Sequence, residues 1–319
     1  MIFILFFIGF ILLIKGADIL VDGSTTIAKR FGISDIIIGL TIVAFGTSMP
    51  ELIVNILAST SGAGGISIGN VIGSNIANIL LILGISAIIS TIVVQKNTIW
   101  KEIPFSLFAA LLLLILASDN FFNQKSAGLI TKADGIILIL FFIVFLYYTF
   151  SLAKKSRNIL NLPPHKTPLL KPVLLIIAGI TALFFGGKWV VEGAIVIAKM
   201  FNVSETVIGV SIVAVGTSLP ELVTSVIAAL KKKSDIAVGN IVGSNIFNIL
   251  WVLGVTSIIS PITIDKSSYI DFYMLIFASL LLFGFLFIGN PDKKTKIINR
   301  WQGIVFVVIY VGYILFRFL

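Results

Sequence analysis

Long apolar segments, separated by short polar stretches, dominate the chain. Each of ten such segments has about the length that a helix needs to cross a bilayer core of ~30 Å. They cover residues 2–22, 35–59, 66–90, 102–119, 135–152, 172–198, 204–230, 236–260, 269–289 and 303–319. Because the first segment lacks a basic start and a small-residue cleavage site, we interpret it as a span rather than a signal peptide. The pattern predicts an all-α polytopic membrane protein with ten transmembrane helices.

The composition narrows the possible chemistry. The chain is 58% hydrophobic and only 12% charged, whereas an average soluble domain carries about 25% charged residues. This balance excludes a soluble enzyme and a disordered chain. With no cysteine and a single histidine, His165, thiolate sites and multi-histidine metal sites are excluded as well. Carboxylates, amides, hydroxyls and carbonyls remain, and these are ligands for hard cations.

The basic residues indicate how the chain is oriented. With the N-terminus outside, 16 of the 23 lysines and arginines fall in the predicted cytoplasmic loops and five on the outer side. Basic residues accumulate on the cytoplasmic side of membrane proteins. We therefore expect a multi-pass protein of the cell membrane with both termini extracellular. The same count explains the net charge of +9 without a nucleic-acid partner.

The chain contains an internal repeat with an offset of 170 residues. Residues 39–52 read GLTIVAFGTSMPEL, and residues 209–222 read GVSIVAVGTSLPEL. The same offset aligns GSNIAN at 73–78 with GSNIFN at 243–248. The repeats are predicted to occupy residues 1–153 and 172–319, joined by a cytoplasmic linker at 154–171. Each holds five spans, so the two enter the membrane from opposite sides, an inverted topology typical of secondary transporters with a site at the midplane.

A proline and a glutamate interrupt the second and the seventh span. Pro50 and Pro220 cannot donate a backbone hydrogen bond, so both helices should break and leave carbonyls free just before the prolines. Glu51 and Glu221 follow directly. A carboxylate at the bilayer centre costs at least ~2.5–3.5 kcal/mol and is a functional candidate by default.

Other polar residues lie four positions apart, on one face of a helix. These pairs are Thr47 with Glu51, Thr217 with Glu221, Ser74 with Asn78, and Ser244 with Asn248. Combined by inverted symmetry, they form an oxygen cage that suits Ca²⁺ better than Mg²⁺. Smaller hydroxyl and carbonyl subsites on either side suit Na⁺. Asn75 and Asn245 are interpreted as cross-links between helices.

Two further pairs of opposite charges lie inside predicted spans. Lys15 and Asp18 are three residues apart, and Lys188 and Glu192 are four apart. Residues at these spacings are neighbours on a helix surface. We interpret these residues as local ion pairs, or as side chains that extend toward the interface near the ends of spans, rather than as part of a gate.

The duplicated GTSxPE and GNxxGSNIxN motifs resemble those of the sodium/calcium exchanger family, within the cation/calcium exchanger superfamily. The likeness extends over nearly the whole chain, which is similar to a compact prokaryotic member without the large regulatory loop of animal relatives. The resemblance implies that Glu51 and Glu221 bind Ca²⁺ together with the carbonyls of Thr47 and Thr217. It also implies that the first and sixth spans slide as a gating pair across the other eight.

The resemblance further implies two flanking sodium sites. One would use the Ala44 carbonyl, Thr47, Ser48 and Ser74, and its mirror would use the Ala214 carbonyl, Thr217, Ser218 and Ser244. Asn78 and Asn248 would line the middle of the cage. Some family members carry aspartate where Asn248 stands, and potassium-dependent relatives carry acids at these central positions. The asparagines here disfavour potassium coupling.

The sequence therefore predicts an antiporter that exchanges Na⁺ for Ca²⁺ by alternating access, not an enzyme. It would need no cofactor and no protein partner, and would act as a monomer in the bilayer. An alternative is an H⁺/Ca²⁺ antiporter in which the two glutamates carry protons, since such antiporters also pair glutamates with asparagines. A channel is disfavoured because the pseudo-symmetry lies within one chain. An intramembrane hydrolase is disfavoured because a protease would use paired aspartates.

Overall fold

The structure, a computed structural model, describes residues 2–122, 128–160, 168–200, 214–288 and 295–318. The helices are α1 (Ile2–Phe31), α2 (Asp35–Thr47), α3 (Met49–Thr60), α4 (Gly64–Ile89), α5 (Ile103–Phe122), α6 (Lys132–Leu160), α7 (Leu170–Met200), α8 (Ala214–Thr217), α9 (Leu219–Leu230), α10 (Ser234–Ile259), α11 (Tyr269–Phe285) and α12 (Arg300–Phe318). The strands are β1 (Ile92–Gln95), β2 (Gly128–Ile130), β3 (Ile262–Ile264) and β4 (Thr295–Ile298). Stretches of π-helix interrupt α2 (Gly39–Val43), α4 (Asn78–Ile82) and α10 (Phe247–Val252).

The chain is a multi-pass membrane protein. Eight helices of the described ranges are long and apolar enough to cross a bilayer, and α2 with α3 form a further candidate span that is bent by 43°. Large apolar side chains face outward, among them Phe7 (67% exposed) and Tyr147 (75% exposed), as expected of a surface in contact with lipid. The predicted seventh span, 204–230, lies partly outside the described residues; α8 and α9 form its second part.

Two helices extend beyond the apolar segments that predicted them. Helix α1 continues to Phe31, so Lys29 and Arg30 lie in its last turn and not in a loop. It stops before Gly32, whose φ of 64° a helix cannot accommodate. Helix α6 continues to Leu160, so the first part of the predicted linker at 154–171 is helical. Apolar runs mark the part of a helix inside the lipid, whereas its polar ends continue into the interface.

The all-α prediction is corrected by two small antiparallel strand pairs. Strand β1 pairs with β4, with Ile92 opposite Ile298. Strand β2 pairs with β3, with Gly128 opposite Ile264. Each pair joins a strand from the first half of the chain to one from the second, so the two halves are hydrogen-bonded together at two places.

The buried apolar residues form two clusters. The larger one combines α4, α5, α6, α10, α11 and α12 with one side of α2. The smaller one is built mainly from α1 and α7, packed against parts of α2, α9 and α10. Helices α1 and α7 therefore have a core that is largely their own.

Glycines bring α1 and α7 into backbone contact. Gly9, Gly16 and Gly23 on α1 correspond by the 170-residue offset to Gly179, Gly186 and Gly193 on α7. A Cβ atom at Gly9 would lie 2.9 Å from the Gly186 carbonyl oxygen, and one at Gly186 would lie 2.8 Å from the Gly9 carbonyl oxygen. Real Cβ atoms do not approach so closely, so only glycine fits this crossing.

Asp18 pairs with Lys231 rather than with Lys15. The Nζ atom of Lys231, which follows α9, lies 2.8 Å from Asp18 and 2.6 Å from Asp22. Burial lowers the pKa of Lys231, but its hydrogen bonds to the two aspartates and their negative charges outweigh this, so that the pKa is raised. The other local pair is present, with Lys188 3.9 Å from Glu192. Lys231 thus attaches α1 to the second half of the chain.

Helices α3 and α9 each end in a turn of the same type. The position with the left-handed backbone conformation is occupied by glycine in one turn and by lysine in the other. After α9, the Lys233 N–H bonds to the Ala228 carbonyl at 2.8 Å, which closes a turn in which Lys232 has a φ of 57°. Gly62 occupies the equivalent place after α3, with a φ of 80°. This left-handed conformation suits glycine and costs about 1–2 kcal/mol for other residues.

We expect Lys232→Gly to raise the free energy of unfolding by roughly 0.5–1 kcal/mol, since the relief of strain exceeds the added backbone entropy of the unfolded chain. Gly62→Ala should lower it by about 1 kcal/mol. A Cβ atom at Gly62 would meet no described atom within 4 Å, so the loss would reflect backbone strain alone. Thermal unfolding in detergent micelles measures both changes, and a lower melting temperature for Lys232→Gly would contradict the expectation.

Candidate ion-binding site

In both spans that carry a glutamate, the helix is broken two residues before the proline. Ser48 (φ −85°, ψ 5°) separates α2 from α3, and Ser218 (φ −87°, ψ 4°) separates α8 from α9. Pro50 and Pro220 therefore lie in the first turn of a new helix, where a missing N–H group costs nothing. The predicted break is confirmed. It turns a proline-interrupted span into two half-helices that meet inside the protein.

Glu51 and Glu221 occupy the first turns of α3 and α9, and both side chains are fully buried. The helix dipole places partial positive charge at this end, which favours a carboxylate. No salt bridge to either glutamate occurs among the described residues. Two buried negative charges without a basic partner are costly unless a cation joins them.

Serine hydroxyls from both halves of the chain surround each carboxylate. Oε1 of Glu51 accepts hydrogen bonds from Ser74 and from Ser218, each at 3.5 Å. Ser218 also donates to the Ser74 hydroxyl at 3.0 Å. Hydroxyls of the first and the second half therefore meet at one carboxylate.

The mirror arrangement surrounds Glu221. Its Oε1 atom accepts hydrogen bonds from Ser48 at 3.2 Å and from Ser244 at 3.4 Å. The predicted flanking sites grouped Ser48 with Ser74 and Ser218 with Ser244. The hydrogen bonds instead bring Ser48 and Ser244 together at Glu221, and Ser74 and Ser218 together at Glu51. Which serines share a sodium ion stays a prediction.

The threonines of the motif also bond across the halves. Thr47 donates to the Asn240 amide oxygen at 3.0 Å and lies 3.3 Å from the Ser244 hydroxyl. Thr217 donates to the Asn70 amide oxygen, also at 3.0 Å. Asn70 and Asn240 were not among the predicted site residues. Their signal was present in the sequence, because both belong to the duplicated GNxxGSNIxN motif.

Further amides hold the main chain of the glutamates. Asn55 donates to the Glu51 carbonyl at 2.7 Å and accepts a hydrogen bond from Ser67 at 2.7 Å. In the second half, Asn240 donates to the Glu221 carbonyl at 3.4 Å and to the Ser225 hydroxyl at 2.9 Å. The sequence analysis missed these residues. Their amides hold the main chain at each glutamate and so help to fix the first turn of each half-helix.

Asn78 and Asn248 lie fully buried where the π-helical stretches of α4 and α10 begin. Such stretches often occur at functional sites. The amide nitrogen of Asn78 donates to Asn245 at 2.9 Å, and that of Asn248 donates to Asn75 at 3.1 Å. Asn75 and Asn245 thus connect α4 and α10, as the sequence predicted.

Four buried oxygens in this region have no hydrogen-bond partner: Oε2 of Glu51, Oε2 of Glu221, Oδ1 of Asn78 and Oδ1 of Asn248. All four accept and cannot donate when the carboxylates are ionised. A buried acceptor without a partner is costly, and a cation would supply the missing interaction. The donor set, oxygen only and doubly negative, has the chemistry of a calcium site.

The predicted alanine carbonyls lie at the ends of the first half-helices. The Ala44 carbonyl accepts the Ser48 N–H at 3.0 Å and lies 3.4 Å from the Thr47 hydroxyl. Ala214 lies four residues before the break at Ser218, as Ala44 does before Ser48. In the described ranges, no three histidine, cysteine, aspartate or glutamate residues converge; the candidate site depends on two carboxylates and neutral oxygens.

Known proteins share this architecture. The sequence profile described as "Sodium/calcium exchanger protein" matches residues 1–151 and 171–319. The chain is 32% identical to the sodium/calcium exchanger MaX1 of Methanosarcina acetivorans, covering 99% of this chain and 98% of that protein. It is 35% identical to the inner membrane protein YrbG of Escherichia coli (strain K12), covering 88% of this chain and 87% of that protein. A solved structure of the sodium-calcium exchanger NCX_Mj aligns with a TM-score of 0.81 at 36% identity, covering 97% of this chain and 96% of that one. The chain therefore belongs to the sodium/calcium exchanger family.

Proposed function

We propose that the protein exchanges Na⁺ for Ca²⁺ across the membrane by alternating access, with both ions sharing one site. The four unpartnered oxygens around Glu51 and Glu221 carry this proposal. A site with two buried negative charges resists desolvation when it is empty. The protein changes between its outward-open and inward-open states only when cations neutralise the two charges. Na⁺ and Ca²⁺ therefore compete for the site, and the flux of one drives the flux of the other.

In this proposal Ca²⁺ lies between the carboxylates of Glu51 and Glu221, with the main-chain carbonyls of Thr47 and Thr217 as further ligands. Asn78 and Asn248 line the middle. The Ca²⁺ ion takes 6–8 oxygens, and the remaining oxygens would come from the surrounding hydroxyls or from water. Support comes from the absence of any basic partner for either carboxylate among the described residues.

The flanking sodium sites draw on both halves of the chain. One would combine the Ala44 carbonyl, Thr47 and Ser48 with Ser244, and its mirror would combine the Ala214 carbonyl, Thr217 and Ser218 with Ser74. The hydrogen bonds that pair these serines support this grouping. Two Na⁺ per Ca²⁺ would be electroneutral. Three would move one net charge and respond to the membrane potential by ~2.3 kcal/mol per 100 mV.

Helices α1 and α7 would slide together as the gating pair. Their own apolar cluster and their glycine-mediated backbone contact support this role. The close backbone contact within the pair would hold α1 and α7 together. Only their contacts with the remaining helices would change. The site would then open alternately to each side.

The proposed frame is ten transmembrane helices in two inverted repeats, 1–153 and 172–319, with the linker 154–171 in the cytoplasm and both termini outside. It would function as a monomer, because both halves of the site come from one chain. The contacts of the site support the inverted repeat. The Ser48–Glu221 bond has its mirror in the Ser218–Glu51 bond, each residue shifted by 170 positions.

A second candidate function is H⁺/Ca²⁺ antiport by the same glutamates. It is favoured by the asparagines at positions 78 and 248, which leave the middle of the site with two formal charges. Two protons on Glu51 and Glu221 would balance one Ca²⁺ without any sodium site. The serine and threonine hydroxyls beside the carboxylates favour sodium instead.

The driving ion can be identified in proteoliposomes. We expect an outward Na⁺ gradient to accumulate radiolabelled calcium at least about tenfold over vesicles without a gradient, because the shared site couples the two fluxes. A pH gradient of equal size, with K⁺ on both sides, should produce no accumulation. Uptake that follows only the pH gradient would contradict sodium coupling and support the second candidate.

A further inference from the structure

Four asparagines form a hydrogen-bonded ladder between α4 and α10. The side-chain nitrogen of Asn75 donates to the main-chain carbonyl of Asn245 at 3.1 Å, and Asn248 donates to the side-chain oxygen of Asn75 at 3.1 Å. On the other side, Asn78 donates to the side-chain oxygen of Asn245 at 2.9 Å. All four residues are at most 2% exposed.

The ladder determines which way the Asn248 amide faces. A main-chain carbonyl only accepts hydrogen bonds, so the end of Asn75 that faces Asn245 is its NH₂ group. The opposite end of Asn75 is then an oxygen, and Asn248 must present its own NH₂ group to it. The oxygen of Asn248 consequently points away from Asn75, and it is one of the four buried oxygens without a partner.

We propose that Asn75 and Asn245 are positioning residues that hold Asn248 and Asn78 with their oxygens toward the cation. This inference rests on the proposed function, since it assigns a role to residues beside the proposed site. Neither Asn75 nor Asn245 touches the ion. An amide that is free to rotate by 180° would direct an NH₂ group with partial positive charge at the cation, and the ladder excludes this orientation.

The proposal is specific to amides. The two ends of an asparagine side chain differ, whereas the two oxygens of an aspartate are equivalent. An aspartate at position 248 would present an oxygen in either orientation and would need no positioning partner. The effect of changing Asn75 should therefore depend on whether residue 248 is an amide or a carboxylate.

A double-mutant cycle tests this dependence. Calcium binding to the purified chain in sodium-free detergent solution is measured by titration calorimetry for the wild type, Asn75→Ala, Asn248→Asp and the double variant. We expect Asn75→Ala to weaken the calcium Kd about tenfold, as is typical when a residue that orients a metal ligand is lost. In the Asn248→Asp background, the same change should not weaken the Kd, because the Asn75 oxygen then faces a carboxylate oxygen that cannot donate to it.

The mirror cycle uses Asn245→Ala and Asn78→Asp. Asn245→Ala leaves the main-chain carbonyl that Asn75 needs and removes only the side-chain amide to which Asn78 bonds, so it provides an independent test if a variant of the first cycle does not fold. Equal losses of affinity in both backgrounds would indicate packing alone and would overturn the proposal. Intact calcium binding without sodium-driven uptake would overturn the proposed function but not the positioning role, whereas a wild type that binds no calcium would overturn both.

Discussion

Glu51→Gln and Glu221→Gln are each expected to reduce sodium-driven calcium uptake at least about 100-fold. Each change preserves the shape of the side chain and removes one of the two charges that a divalent cation must balance. Loss of one partner from a buried charge pair costs about 3–5 kcal/mol, which corresponds to a factor of about 100 to several thousand in affinity. Both variants should fail, because each glutamate receives hydroxyls from both halves and neither duplicates the other.

The same variants should be more stable than the wild type when no cation is bound. Both glutamates are 0% exposed and lack a basic partner in the described residues, so a neutral amide removes an unfavourable buried charge. We therefore expect a higher melting temperature in sodium-free and calcium-free buffer, together with a smaller rise on calcium addition. A variant that loses uptake through misfolding would show the opposite change.

Glu192→Gln is the matched control for both glutamates. Glu192 is a glutamate on a membrane helix as well, but its side chain is 45% exposed and lies 3.9 Å from Lys188. The substitution should leave uptake within about twofold of the wild type, since an exposed ion pair contributes little. Wild-type uptake by either Glu51→Gln or Glu221→Gln would contradict the site assignment.

The sequence predicted the features that depend on local chemistry or on repetition. The breaks at Ser48 and Ser218 followed from proline, and the burial of Glu51 and Glu221 followed from their place in an apolar segment. The family followed from the duplicated motif. Each of these inferences needs only a short window of sequence, or two windows compared at a fixed offset.

The contacts between the halves could not be predicted in this way. Spacing along a helix suggested Lys15 as the partner of Asp18, yet the partner is Lys231, more than 200 positions away. The family resemblance grouped Ser48 with Ser74, whereas the crossing of the two halves places Ser244 beside Ser48 at the Glu221 carboxylate. Strands of three or four residues are too short to show an alternating pattern, so β1 to β4 were missed.

A disulfide between α7 and α2 is expected to stop exchange, because it would hold the proposed gating pair against the body of the protein. A Cβ atom at Gly46 on α2 would lie 3.7 Å from the Cβ atom of Ile180 on α7, within the usual range for a disulfide of ~3.5–4.5 Å. The native chain contains no cysteine, so the double variant Gly46→Cys, Ile180→Cys can form no other intramolecular bridge. Oxidation should lower sodium-driven calcium uptake to the level of empty vesicles, and reduction should restore it.

The control is the double variant Gly46→Ser, Ile180→Ser, whose side chains are of similar size to cysteine and cannot form a bridge. Its uptake should be the same under oxidising and reducing conditions. An oxidised Gly46→Cys, Ile180→Cys variant that retains uptake would rule out sliding of α7 past α2. Loss of uptake in the serine variant, or in the reduced cysteine variant, would instead indicate that the substitutions themselves disturb the protein, so the three measurements together separate the effect of the bridge from the effect of the new side chains.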